Sequence, residues 1–271
     1  MLRILVTGAS SGIGEATAYA YSQPTCELFL VARREQHLAK VAEACRRKGV
    51  SRAVFQSHDL SVPGQGGVII QECLEELGGL DILICNAGYG IYGPLKEVSP
   101  QDMARIWQVN FQSGYESIHA ALPHLLKQKG GHIVLVSSVI GKKAFPYAAS
   151  YCATKFAQVA IGEALWGELR GSGVGVSVIC PGYTQTEFQE AAQKTKSLQN
   201  MNRPGDGQSS EAVARAIVHA VDRKQREVHL TLSGRFLCLM NRISPFLINQ
   251  VTARLLNRVQ RNKRSGSPSQ P

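Results

Sequence analysis

The chain has no apolar run approaching the roughly 20 residues needed to cross a bilayer, which argues against a membrane-spanning helix. A strand-like segment already begins at Leu2, so no signal peptide is expected. The seven cysteines are scattered singly, without a C-x-x-C pair, which excludes the usual zinc and dithiol spacings. Several lie inside apolar segments, as small buried hydrophobes of a reducing cytoplasm would, and no metal site is expected. Acids are nearly absent from the end of the chain. Of 30 basic and 20 acidic residues, ten basic and one acidic (Glu227) lie from Arg223 onward. The body is close to neutral, and the net charge of +10 belongs to the tail.

What remains is a 271-residue chain, 44% hydrophobic, long enough for one large core or two modest ones. Continuous apolar segments at 2–7, 27–32, 53–59, 80–88, 132–138 and 175–180 alternate with helix-like stretches at 12–22, 35–48, 100–127, 151–170 and 210–222. Pro123 is expected to interrupt the third of these, and Ser210 to cap the last ahead of a final strand, REVHLTL. Strands that are apolar throughout and separated by helices indicate a parallel sheet covered on both faces, a doubly wound α/β domain over residues 1–232. Residues 187–209 form a polar insertion long enough to be a lid. Residues 261–271 have no apolar side chain and are expected to be disordered.

Directly after the first strand comes TGASSGIG, with Gly8, Gly12 and Gly14 in a G-x-x-x-G-x-G spacing. Such a strand-to-helix turn lets backbone amides face a pyrophosphate. No Lys-Ser/Thr follows the last glycine, which excludes a P-loop, and a plain Gly-rich connector is the ordinary alternative. The second strand ends in VARRE, where an NAD enzyme usually places an acid. Arg33 and Arg34 there argue for the 2′-phosphate of NADP(H), against the alternative of two solvated arginines. Asp59 is placed to meet the adenine amino group, with a turn or N-cap role as the competing reading.

TGASSGIG, NAG at 86–88, Asn110, the serine pair at 137–138, YCATK at 151–155 and PGYTQT at 181–186 occur in one order. Together they resemble the short-chain dehydrogenase/reductase family over about residues 1–232. Ser138 precedes Tyr151 by thirteen positions, as is customary there. The resemblance implies a Rossmann-like domain with a seven-stranded sheet in the order 3-2-1-4-5-6-7, and a homo-oligomer, dimer or tetramer. It implies a catalytic tetrad of Asn110, Ser138, Tyr151 and Lys155. It also implies that Gly8, Ser10, Ser11, Gly12, Ile13 and Gly14 line the cofactor turn, and Asp59 and Leu60 the adenine pocket. Asn86, Ala87 and Gly88 would lie on the adenosine-ribose side, and Pro181, Gly182, Thr184 and Thr186 at the nicotinamide end. Cys85 stands where the family often has a first asparagine before Asn86.

The chemistry of the pair is readable directly. Tyr151 and Lys155 lie four residues apart, on one helix face. A phenol with an ordinary pKa of about 10 donates a proton readily at neutral pH but is a poor base. An adjacent ammonium stabilises the phenolate and makes the pair a tunable acid/base. Ser138 would hydrogen-bond the reacting oxygen. The resemblance adds a role for Lys155 at the nicotinamide ribose and for Asn110 in anchoring a water. Tyr89, Ile140, Phe145, Tyr183 and Phe188 are expected, with Ser138, to form an apolar substrate pocket. A carbonyl/alcohol oxidoreductase using NADP(H) follows, with a non-catalytic NADP(H) sensor as the alternative.

Residues 233–260 form a basic helical extension that Pro245 divides in two. Arg242, Arg254 and Arg258 flank a stripe of Phe246, Leu247, Val251, Leu255 and Val259. Packing of the stripe on the domain or a second subunit is the favoured expectation, because most amphipathic helices cover protein. Peripheral contact with an anionic membrane is the alternative. No nucleic-acid partner is expected, since no binding fold accompanies the charge.

Overall fold

Parallel strands that run into the core on both faces position everything else. The computed structural model describes residues 1–188, 192–199, 207–246, 248–252 and 254. Its main sheet is built from β1 (Leu2–Thr7), β2 (Cys26–Ala32), β3 (Arg52–Ser57), β4 (Ile82–Cys85), β6 (Gly131–Val136), β7 (Val174–Cys180) and β11 (Glu227–His229). These lie in the order β3-β2-β1-β4-β6-β7-β11, all neighbours parallel. This is the order expected above. The direction of winding reverses between β1 and β4, and in such sheets ligands bind beyond the carboxyl ends at that point.

Successive strand residues point to opposite faces, and the core splits accordingly. Ile4, Val6, Leu28 and Leu30 pack with α1 (Gly12–Ala20), α2 (Glu35–Arg47) and α7 (Ser210–Asp222). Leu5, Phe29 and Val31 pack on the other face with α3 (Gln65–Leu77), α5 (Ser113–Lys127) and α6 (Ala149–Glu168). Helix α3 lies outside the segments expected to be helical. Its cap positions, Gly64 and Gly78, are both left-handed glycines, at φ +83° and +67°.

The expected 100–127 helix is interrupted elsewhere than at Pro123. Helix α4 (Pro100–Trp107) gives way to a π-helical turn at Gln108–Gln112, and α5 then runs uninterrupted through Pro123. A π turn accommodates an extra residue in a helix and is common at functional sites; here it carries Asn110. Ser209, rather than Ser210, caps α7, its side chain accepting from the Ala212 amide.

The polar insertion is tied down at two places. Strand β9 (Gln193–Lys194) pairs with β5 (Ile91–Tyr92), and β10 (Gln208–Ser209) pairs with β8 (Thr184–Gln185). Just past β9, Leu198 is buried and Ser197 bonds Glu97. Residues 189–191 and 200–206 of the insertion lie outside the described residues.

Helix α8 (Leu232–Ile243) is capped by Thr231, which accepts from Gly234 N at 3.1 Å, and helical backbone resumes at Pro245. Phe246 and Val251 are exposed, so the described part of the stripe does not pack on the domain as expected. Leu247, Leu255, Val259, Arg258 and residues 261–271 lie outside the described residues.

Helix α6 approaches the sheet closely because Gly162 faces it. A Cβ at Gly162 would collide with Val178 Cγ2 and lie 3.1 Å from Leu135 Cδ1. Gly162→Val is therefore expected to destabilise the fold by about 1–3 kcal/mol, as overpacking generally does. Urea denaturation followed by circular dichroism measures this; an unchanged midpoint would show that the helix has slack.

Candidate active site

Strand ends β1 and β4 meet through one buried hydroxyl. Thr7 Oγ1 donates to the Ile84 carbonyl at 3.2 Å and accepts from the Asn86 and Ala87 amides at 2.9 and 3.0 Å. The Asn86 side chain returns a bond to the Thr7 carbonyl at 2.9 Å. The glycine turn and the 86–88 loop are thus locked together. Gly8 has φ +67°, and a Cβ there would sit 2.9 Å from Asn86 Nδ2. A Cβ at Gly14 would collide with the Gly8 carbonyl.

These loops border a cavity of about 620 Å³. Its lining includes Gly8, Ser10, Ser11, Gly12 and Ile13 of the turn, together with Arg33, Arg34, Asp59 and Leu60. The Ser11 side chain makes no cap bond, so the first amides of α1 are left without that partner. Their dipole and the two arginines suit a dinucleotide's phosphates. Gly14 does not line the cavity; it is buried behind the turn, where it permits the close approach.

Partial burial opposes ionisation of Asp59, but bonds from Ser61 and the charges of Arg33 and Arg105 outweigh it and hold the carboxyl below its usual pKa. Arg34 binds Ser10 Oγ and the Ser10 carbonyl, both at 3.3 Å, and pairs with Glu187 at 2.8 Å. That ion pair links the glycine turn to the start of the insertion.

Asn86, Ala87, Gly88, Pro181, Gly182, Thr184 and Thr186 also line the cavity, and Thr186 stands against the glycine turn, where a Cβ at Gly12 would lie 3.0 Å from its Cγ2. Ser138, Tyr151 and Lys155 line the same cavity. Lys155 is only 3% exposed; its Nζ donates to the Val136 carbonyl at 2.8 Å and to Gln158 Oε1 at 2.9 Å. Burial pushes its pKa down to about 7. Nζ lies 5.7 Å from the centre of the Tyr151 ring, which packs edge-on against Tyr92 and tilted on Phe188. Ser138 Oγ makes two long bonds of 3.4 Å, to the Pro181 carbonyl and from the Ile140 amide. Bonds this long are weak, and the hydroxyl can exchange them for a ligand.

Asn110 is buried and does not border the cavity. Its side chain accepts from Tyr89 N at 2.9 Å and donates to the Tyr89 carbonyl and Thr154 Oγ1 at 2.9 and 3.1 Å. Its carbonyl accepts from Gln158 Nε2 at 2.7 Å, so the protein links Asn110 to Lys155 through Gln158. Tyr89, Ile140, Tyr183 and Phe188 line the cavity, whereas Phe145 does not. Phe145 sits in the segment before α6, with Lys143 Nζ 5.9 Å from its ring centre.

Four residues here escaped sequence reasoning: Tyr92, Arg105, Gln158 and Glu187. Gln158 is signalled by its i+3 spacing from Lys155. The other three reach the site only through tertiary packing.

The match to known proteins follows the same geometry. The short chain dehydrogenase family model matches residues 3–197. Hydroxysteroid 11-beta-dehydrogenase 1-like protein A of Xenopus laevis is 34% identical over 250 residues, covering 91% of this chain and 80% of that protein. A Burkholderia phymatum short chain dehydrogenase/reductase in complex with NAD superposes with a TM-score of 0.80 at 26% identity, covering 91% of this chain and 94% of the other. An alcohol dehydrogenase from Thermococcus sibiricus complexed with 5-hydroxy-NADP gives a TM-score of 0.72 at 26% identity, covering 84% and 95%. With more than half of its length matched by the family model, the chain belongs to the short chain dehydrogenase family of oxidoreductases, which bind nicotinamide cofactors.

Proposed function

We propose that this protein is an NADP(H)-dependent oxidoreductase that interconverts an apolar ketone or aldehyde with its alcohol, Tyr151 acting as general acid and base. The observation that carries this reading is the joining, in one cavity, of the glycine turn and Arg33/Arg34 with Ser138, Tyr151 and Lys155. Gly8, Gly12 and the amides of α1 would hold the pyrophosphate. Arg33 and Arg34 would hold a 2′-phosphate, the feature that favours NADP(H) over NAD. When bound, the nicotinamide supplies or accepts the hydrogen and electron pair exchanged with the carbonyl carbon.

The chain's own residues handle the oxygen. Ser138 Oγ donates to it, and Tyr151 gives it a proton in reduction or takes one in oxidation. Lys155 in its charged form stabilises the phenolate left behind. Gln158 and Asn110 hold Lys155 in place. Tyr89, Tyr92, Ile140 and Phe188 give the substrate end an apolar and aromatic wall. The hydroxysteroid dehydrogenase-like relative in Xenopus laevis accords with such a substrate. No structural observation favours a non-catalytic sensor, since Tyr151 and Lys155 are both present and adjacent.

Tyr151→Phe is expected to keep NADPH affinity, read by nucleotide fluorescence, and to lose at least about 100-fold in turnover. Undiminished NADPH oxidation on an apolar carbonyl would eliminate Tyr151 as the acid. Replacing Arg33 and Arg34 together by alanine should cut NADP⁺ affinity at least about tenfold relative to NAD⁺. Calorimetric titration of both cofactors decides it, and an unchanged ratio would place the discrimination elsewhere.

A third expectation concerns pH. Lys155 in the folded protein takes up a proton only below about pH 7, whereas in the unfolded chain it does so below about 10.4. Between these values the unfolded state binds more protons, so this residue's contribution to stability rises with pH. The stability of the cofactor-free protein minus that of Lys155→Met should climb from pH 7 to pH 10. A flat difference in denaturant titrations would contradict the buried, depressed ammonium.

A further inference from the structure

One face of α8 has no partner among the described residues. Leu232, Phe236, Leu239 and Ile243 follow at intervals of four, three and four, and Phe246 comes three residues later. Their exposures are 82, 64, 55, 68 and 74%. This spacing aligns the four α8 residues along one side of the helix, over about 16 Å. Exposed apolar patches of this extent mark interaction surfaces.

The helix cannot turn this face inward, because other contacts fix its orientation. Thr231 caps it, Arg235 Nε donates to the His229 carbonyl at 3.0 Å, and Asn241 Nδ2 donates to the Lys142 carbonyl at 3.3 Å. Beyond Pro245, Lys143 Nζ donates to Asn249 Oδ1 at 2.5 Å.

Charge decides what covers it. After Glu227 the chain holds seven basic residues, Arg235, Arg242, Arg254, Arg258, Arg261, Lys263 and Arg264, and no acid. Glu227 is itself neutralised by Lys142 at 2.7 Å. A second copy docked through α8 would bring two such segments together, like charge against like. Anionic headgroups complement both the charge and the apolar stripe.

We propose that the exposed face of α8 docks on an anionic phospholipid bilayer, its apolar stripe at the acyl boundary, with the basic excess of the sequence after Glu227 favouring anionic headgroups. Gly234, on the opposite side of α8, lies beside Val139, so the inward side of the helix rests on the loop that bears Ser138 and the stripe is left facing outward. This surface is independent of the reaction proposed above.

The test uses the full-length protein and vesicle flotation. It should float with phosphatidylcholine vesicles containing about one-quarter phosphatidylglycerol, be released by added salt, and stay behind with pure phosphatidylcholine. Phe236→Ser combined with Ile243→Ser should weaken the anionic-vesicle affinity at least about tenfold. Both positions are exposed, and matched thermal melts establish that the double variant is folded. Failure of the wild-type protein to float with anionic vesicles, or equal flotation of the folded double variant, would overturn the proposal. So would a lipid-free dimer, seen by light scattering, that the same two substitutions dissociate; that result assigns the face to a second copy.

Discussion

A lysine that is almost wholly buried, its Nζ bonded to two neutral oxygens, constrains this molecule more than any other group. Lys155 must find hydrogen-bond acceptors at fixed places, because an unsatisfied buried ammonium is far too costly to keep. The Val136 carbonyl is free to accept because β6 ends there, and Gln158 is available one turn along α6. Both demands require α6 to lie tight against the sheet. Gly162 permits this on the sheet side. Near the site, Gly141 does the same, since a Cβ there would sit 2.6 Å from Ser137 Oγ and 2.7 Å from the Lys155 carbonyl. Ser137 then bonds that carbonyl at 2.9 Å. The neighbouring Ser138 and Tyr151 inherit their positions from this docking.

The glycine turn rests on a comparable economy of polar atoms. The Thr7 hydroxyl satisfies three backbone groups of β4 and the following loop. The reversal of winding between β1 and β4 opens a crevice, and Thr7 with Asn86 prevents its two lips from separating. The glycine turn and the 86–88 loop are therefore parts of one hydrogen-bonded edge rather than independent decorations of the sheet.

Much of this was legible in the sequence because it is local. Leu28 to Ala32 read as a doubly covered strand from apolar continuity alone, and Tyr151 with Lys155 read as a helix face from their spacing. The glycine turn declared itself by its place after a strand. The failures share a cause in longer-range packing. Pro123 falls in a helix that absorbs it, while the irregularity expected there occurs at Gln108–Gln112, where no residue type marks it. Phe145 looked like pocket lining by composition but is held away beside Lys143. The Arg34–Glu187 pair spans 153 positions of sequence and could not be read from either arginine or glutamate alone.

The π turn at Gln108–Gln112 has a consequence for how such a chain can diverge. A helix with one residue more than its regular winding sets the rotational phase of everything downstream, as an offset does in a screw thread. Loss of that residue would turn α5 by roughly 100° relative to α4. Asn110 would then leave Tyr89 and Gln158, while the apolar side of α5 would leave the sheet. The stretch from Pro100 to Lys127 should tolerate exchanges of side chain far better than changes of length.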